Sequence, residues 1–401
     1  MTNKTDRRSE KGAVSIFIVI FTALLITIVT TSFAQLMMRN QQQASANDLS
    51  QSAYDSALAG VEDAKRALVK MQEYENDGND VAADQIRDAL DSKKCDSLGS
   101  TGAGVVAFNN GEVRVGQAEQ NQAYTCVKVQ LDTPDFQDDS IAPGVPAVIP
   151  LKSRKAFDTV RVSWFSKADL DKASSYSGVE TATFPSSTGL LPQNGDDEDG
   201  WPNYAPALLR AQLIQFKKGD IELNEFNKKG TPNARTLFLY PYNYGGTSPG
   251  SREFSSDKRR SDTTKNAPAL ATCNETFNEF NGYACSVELV LPEQSGGGTR
   301  EAYLQLQTYY QQYTSFKVEL LGGGGTVVNL NEIQPKVDAT GRASSLFRRV
   351  EARVSIRNDG VSLPYPDAAL SVGGNFCKNF FITDDKKEYE AHCFETSDDD
   401  S

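Results

Sequence analysis

The chain has 401 residues, a formal net charge of −12 and a single histidine. An acidic chain of this kind argues against nucleic acid as a partner, because phosphate binding needs a basic face. His392 alone leaves serine–histidine–acid and cysteine–histidine catalysis with almost no base to draw on.

Residues 1–12 read as a short basic leader, with Lys4, Arg7, Arg8 and Lys11 against Asp6 and Glu10. Residues 13–38 are mostly apolar, and no charge appears between Ala13 and Arg39. A bilayer core of about 30 Å needs roughly 20 helical residues, which this stretch supplies. Thr22, Thr27, Thr30, Thr31 and Ser32 are tolerable in lipid, because their hydroxyls can bond back to carbonyls one turn earlier. Basic residues crowd the N-terminal side, so the positive-inside rule places the leader in the cytoplasm and the bulk of the chain outside. The expectation is a single-pass anchor in the cell membrane, with the lipid bilayer as partner. A cleaved secretory signal is the competing reading, since Ser32-Phe33-Ala34 suits a small-residue cut. Its apolar stretch should run only about 7–15 residues, and here the helical pattern continues across the cut.

Residues 39–75 continue as an amphipathic helix. Leu49, Ala53, Ala57, Leu58, Val61, Ala64, Leu68 and Met71 recur at spacings of mostly three and four, the stripe of a helix covering something apolar. Ala53, Gly60 and Ala64 among them suit close packing on a sheet as well as pairing with another helix. Asn76-Asp77-Gly78-Asn79-Asp80 ends the helix. From Ala13 to Met71 the span is on the order of 90 Å.

Two stretches, Glu10-Lys11-Gly12-Ala13-Val14-Ser15 and Gln51–Glu62 (QSAYDSALAGVE), resemble the N-terminal region of PilX-type minor pilins of type IV pili. The resemblance covers residues 8–70. It implies cleavage by prepilin peptidase between Gly12 and Ala13, a helix that joins a pilus, and other pilin subunits and the assembly machinery as partners. The chain departs from the major-pilin pattern in two ways. Ala13 stands where Phe or Met is usual, and Phe17 stands where the fifth mature residue is usually Glu. A carboxylate in lipid is kept only for a partner, so its absence points to a tip-proximal or initiating subunit. A permanently anchored surface adhesin on a helical stalk is the alternative.

The outer region divides into residues 76–173, a first β-rich lobe, residues 174–204, a linker or long loop rich in Ser, Gly, Pro and acid, and residues 205–401, a second β-rich lobe. Strands are expected at Tyr124–Leu131, Thr159–Phe165, Thr236–Tyr240, Ser286–Leu291, Phe316–Leu321, Val327–Leu330 and Arg349–Ile356. Gly322–Gly325 reads as a hairpin connection, and helices are expected at Val81–Leu90 and Ala205–Gln215. The fold class is therefore α+β, a long helix followed by an antiparallel, sandwich-like region. Cys95, Cys126, Cys273, Cys285, Cys377 and Cys393 all lie beyond the membrane segment, which fits disulfides. Nearest-neighbour pairing is expected because long intervals separate the pairs, and Cys377–Cys393 would close a C-terminal loop.

No C-x-x-C occurs, no phosphate-cradling G-x-x-x-x-G-K-[ST] is present, and the glycine runs lack a following lysine. No catalytic residue, cofactor or metal is assigned, and the chain reads as a non-enzyme. The acidic run Asn194–Gly200 has a composition that suits calcium, but it is read first as a surface loop. Trp201, Tyr204, Tyr240, Tyr242, Tyr244, Tyr309, Tyr310 and Tyr313 cluster in or near loops, where they would suit a host surface or glycan as ligand; core packing and loop filling account for them equally well, and no binding residue is assigned.

Overall fold

Helix α1 (Glu10–Asn76) runs 67 residues without a break. It contains no proline, and good helix formers fill Asp55–Lys70, so propensity and pattern agree. Helical geometry ends at Gly78, whose φ of +72° a residue with a side chain rarely adopts. Asn79 then caps α2 (Asp80–Asp91), its side chain accepting from the Ala82 amide. The computed structural model describes residues 10–102, 104, 106–115, 121–141, 145–171, 201, 205–219, 233–242, 245–254, 268–309 and 313–355. All belong to a unit ending at Ile356; the second unit, Arg357–Ser401, is outside the described residues.

After α2 come β1 (Val113–Arg114), β2 (Gln122–Thr133), β3 (Asp135–Ile141), β4 (Ala147–Pro150), β5 (Phe157–Ser166), the short α3 (Lys167–Asp171), β6 (Leu208–Lys217), β7 (Ala234–Tyr242), β8 (Gly250–Glu253), β9 (Ala269–Cys273), β10 (Tyr283–Ser295), β11 (Arg300–Tyr309), β12 (Thr314–Gly322), β13 (Thr326–Val328), β14 (Leu330–Ala343) and β15 (Leu346–Arg353). They form two sheets. The small one has the order β1-β2-β14-β15. The large one runs β13-β12-β5-β10-β9-β7-β6-β11-β4, with β3 also on β12 and β8 on β10. Pairing is antiparallel except for β7 with β9 and β8 with β10.

The ends of the large sheet approach each other. Leu151 donates its amide to the Ala302 carbonyl, and the Lys152 carbonyl accepts from Asn331, just past β13. Leu151, Val328 and Leu330 accordingly share one core with Val162, Leu213, Leu289 and Leu304. The result is a nearly closed barrel, which corrects the expected sandwich. A sandwich needs two sheets that offer apolar faces to each other. Here the small sheet gives its apolar face to α1, and the large sheet curls around its own.

The helix expected at Ala205–Gln215 is strand β6. Leu209, Ala211 and Leu213 point into the barrel, while Ile214 and Phe216 on the other face are buried as well. A strand buried on both sides reads as a continuous apolar run, and that is easily mistaken for a helix. Strands on either side of residues 174–204 pair with each other: β5 lies between β10 and β12, and β2 lies on β14. Gly323–Gly325 turns β12 into β13.

Cys95 is bonded to Cys126, and Cys273 to Cys285. The first bridge ties the segment after α2 to β2; the second joins directly opposed residues of β9 and β10. Cys377 and Cys393 lie outside the described residues, as do His392, Asn194–Gly200, Tyr204, Tyr244 and Tyr310.

Candidate functional site

Every residue of α1 from Ile16 to Met38 is exposed. Phe17, Ile18, Val19 and Ile20 follow one another about 100° apart round the helix and all are exposed, so the apolar surface goes all the way round. The hydroxyls of Thr22, Thr27, Thr30, Thr31 and Ser32 donate to carbonyls four residues earlier at 2.7–3.1 Å, so none is left bare. This is one helix long and apolar enough to cross a membrane. Gly12 and Ala13 both lie in its first turn.

The other half of α1 is one-sided. Ala53, Ala57, Val61, Ala64, Ala67, Leu68 and Met71 are buried, while Tyr54, Leu58 and Glu62 face away. The buried stripe packs on Tyr124, Val127 and Val129 of β2 and on Val337 and Ala339 of β14, with Ile86 and Leu90 of α2 closing one side. The fit requires two glycines. A Cβ at Gly60 would stand 2.9 Å from Val127 Cγ2 and 3.2 Å from Tyr124 Cγ. A Cβ at Gly341 would fall on the Ala53 carbonyl oxygen and the Ala57 amide nitrogen. Gly341 sits where the β2–β14 register shifts, which brings β14 against the helix backbone.

Polar contacts fix the same seam. The Tyr124 hydroxyl donates to Asp63 Oδ2 at 2.8 Å, and Arg66 holds Asp63 Oδ1 at 2.9 Å. Burial, reinforced by the Asp63 carboxylate, pushes the Tyr124 phenol well above its usual range. Arg348 of β15 donates to Ser50 Oγ at 2.7 Å, the N-terminal edge of the docked half. No family model, curated protein or solved structure matches the chain.

The barrel is held to this helical module at Glu332, in β14 between the two sheets. Glu332 has a φ of +59°, rare for a residue with a side chain. Its carboxylate accepts from Arg87 Nε of α2 at 2.7 Å, and Arg154 and Lys152 from the loop after β4 stand 3.5 and 3.8 Å away. Arg87 also pairs with Glu75 and Asp84. Burial opposes the charge of Arg87, but Glu332 and the other carboxylates outweigh it and raise its pKa. These side chains line an open, polar groove of about 450 Å³ in which opposite charges already compensate. Among the described residues no cluster of His, Cys, Asp or Glu could hold a metal ion.

Of the aromatics singled out in the sequence, Trp201 and Tyr240 are buried edge to face at 5.3 Å, whereas Tyr242, Tyr309 and Tyr313 are exposed. Gly341 and Glu332 carried no sequence signal, because each acts through contacts more than 170 residues away in the chain.

Proposed function

We propose that the chain is a non-enzymatic, PilX-like minor pilin: a membrane-anchored subunit that takes part in type IV pilus assembly and displays its β-rich head outside. The observation that carries the reading is α1 itself, one uninterrupted helix whose first half has no apolar partner among the described residues and whose second half is the central packing element of the head. In this reading the leader is cytoplasmic. The apolar half waits in the bilayer and then exchanges lipid for the helices of neighbouring subunits, where small residues and satisfied hydroxyls permit close approach. The head follows rigidly, because the Gly341 and Gly60 contacts leave no slack between helix and sheet. Phe17, in place of a carboxylate, supports a place at the tip or at initiation, where a subunit needs no amine to neutralise.

Shearing filaments from intact cells tests this. The chain should appear in the sheared fraction at low abundance relative to the main subunit, and it should vanish from that fraction when filament assembly is blocked. Retention of all of it in the membrane, regardless of filaments, would favour the permanently anchored adhesin.

A further inference from the structure

The outer face of β6, β7 and β11 carries a group of side chains that membrane anchoring does not use. Antiparallel register places Gln307, Arg210 and Phe238 side by side across the three strands, all half-buried, and the next row on the same face, Gln305, Gln212 and Thr236, is buried. Tyr309 lies one step beyond Gln307, exposed, with its ring 6.3 Å from that of Phe238. Arg210 is half-buried, and its guanidinium reaches the Gln307 and Gln212 side-chain oxygens at 3.3 and 3.4 Å. Among the described residues no carboxylate pairs with it, although the chain carries an excess of acid. Gln305 Oε1 and Thr236 Oγ1 are buried and have no hydrogen-bond partner among the described residues.

A half-buried cation without a counter-ion is held at a cost that an anionic ligand would recover. The guanidinium is planar and presents paired donors, the geometry that receives a carboxylate. The exposed Tyr309 ring offers an apolar platform, and the half-buried Gln307 beside it both donates and accepts, as a hydroxyl-bearing ligand requires. An acidic peptide would demand several cations here, and the row supplies one. We propose that this face binds a saccharide bearing a single carboxylate per recognised unit, a uronic-acid type of sugar. Arg210 receives the carboxylate, Gln307 a hydroxyl, and Tyr309 the apolar face of the ring, while the buried Gln212 braces the guanidinium from beneath. The site is independent of whether the chain is a filament subunit or a fixed anchor.

Saturation-transfer NMR on the full chain in detergent micelles tests it, with a glucuronate-bearing hyaluronan oligosaccharide and its carboxyl-reduced, neutral form as probes. The acidic form should bind, and carboxyl reduction should weaken binding about tenfold or more, as loss of a charge-assisted pair does. Arg210→Gln should weaken the acidic form by a similar factor, and Arg210→Lys by less. Tyr309→Ala alters an exposed ring, so it should lower binding without changing the melting temperature, and it stands as the test if Arg210→Gln disturbs the sheet. Equal binding of the neutral form, unchanged binding by Tyr309→Ala, or no binding of the acidic form at millimolar concentration would overturn the proposal.

Discussion

Residues 16–38 and 53–71 are turns of one helix, yet they meet their surroundings in opposite ways. The first stretch is apolar on all sides, exposed throughout and part of no core among the described residues; the second is apolar on one stripe, and the head covers that stripe almost completely. Helix propensity does not distinguish them, and neither does backbone geometry, since α1 is continuous. The difference lies in where the apolar surface finds its cover: within the chain for one half, outside it for the other. A single rigid rod can therefore belong to two hydrophobic environments and couple them mechanically.

The sharpest way to break that comparison is to make the same change in each half. Leu68→Ala removes a fully buried side chain from the α1–sheet core and should lower the stability of the head by about 2–5 kcal/mol. Leu25→Ala should leave the melting of the head in detergent unchanged, because Leu25 is exposed and touches no core. Calorimetry on both variants checks this, and equal destabilisation would contradict the division. Gly341→Ala comes next. Its Cβ has no room against Ala53 and Ala57, so overpacking of about 1–3 kcal/mol is expected, together with faster hydrogen exchange in Ala53–Leu68. Gly323→Ala, in open space, is the control with little effect.

A smaller effect should be visible in alkali. Burial pushes up the phenols of Tyr124 and Tyr283, the latter to about 12. Both stay neutral in the folded chain at a pH where the unfolded chain begins to ionise, about 10. Their contribution is therefore fully present below pH 10 and falls as the pH rises above it, until about 12 for Tyr283 and further still for Tyr124. Tyr124→Phe should make the α1–sheet seam less sensitive over that window, as read by denaturant midpoints at stepped pH.

The long helix was legible in the sequence, because a strongly periodic segment without proline leaves few alternatives. Most of its stripe was legible too: Ala53, Ala57, Val61, Ala64, Leu68 and Met71 are buried, while Leu58 is turned outward. Whether the stripe met a helix or a sheet was not readable, since small residues serve both; the answer depends on β14, some 280 residues further on. Several strands were visible from alternation, as in β2 and β15. β6 was not, because a strand buried on both faces loses its period, and β4, β9 and β11 are too short or too mixed to stand out. Barrel closure depends on Lys152 and Arg154 meeting Asn331 and Glu332, long-range contacts that no local pattern encodes. The same holds for Arg210. Its residue type is ordinary, and only the pairing of three strands reveals that no carboxylate among the described residues faces it.

The most direct test of the central claim, that the exposed half of α1 is built to be transferred into a filament, is the N-terminal mass of the protein recovered from sheared cell-surface filaments. The account predicts a chain beginning at Ala13, the leader through Gly12 having been removed. A chain that still carries residues 1–12, or one that begins at Gln35 without the apolar half, would contradict it.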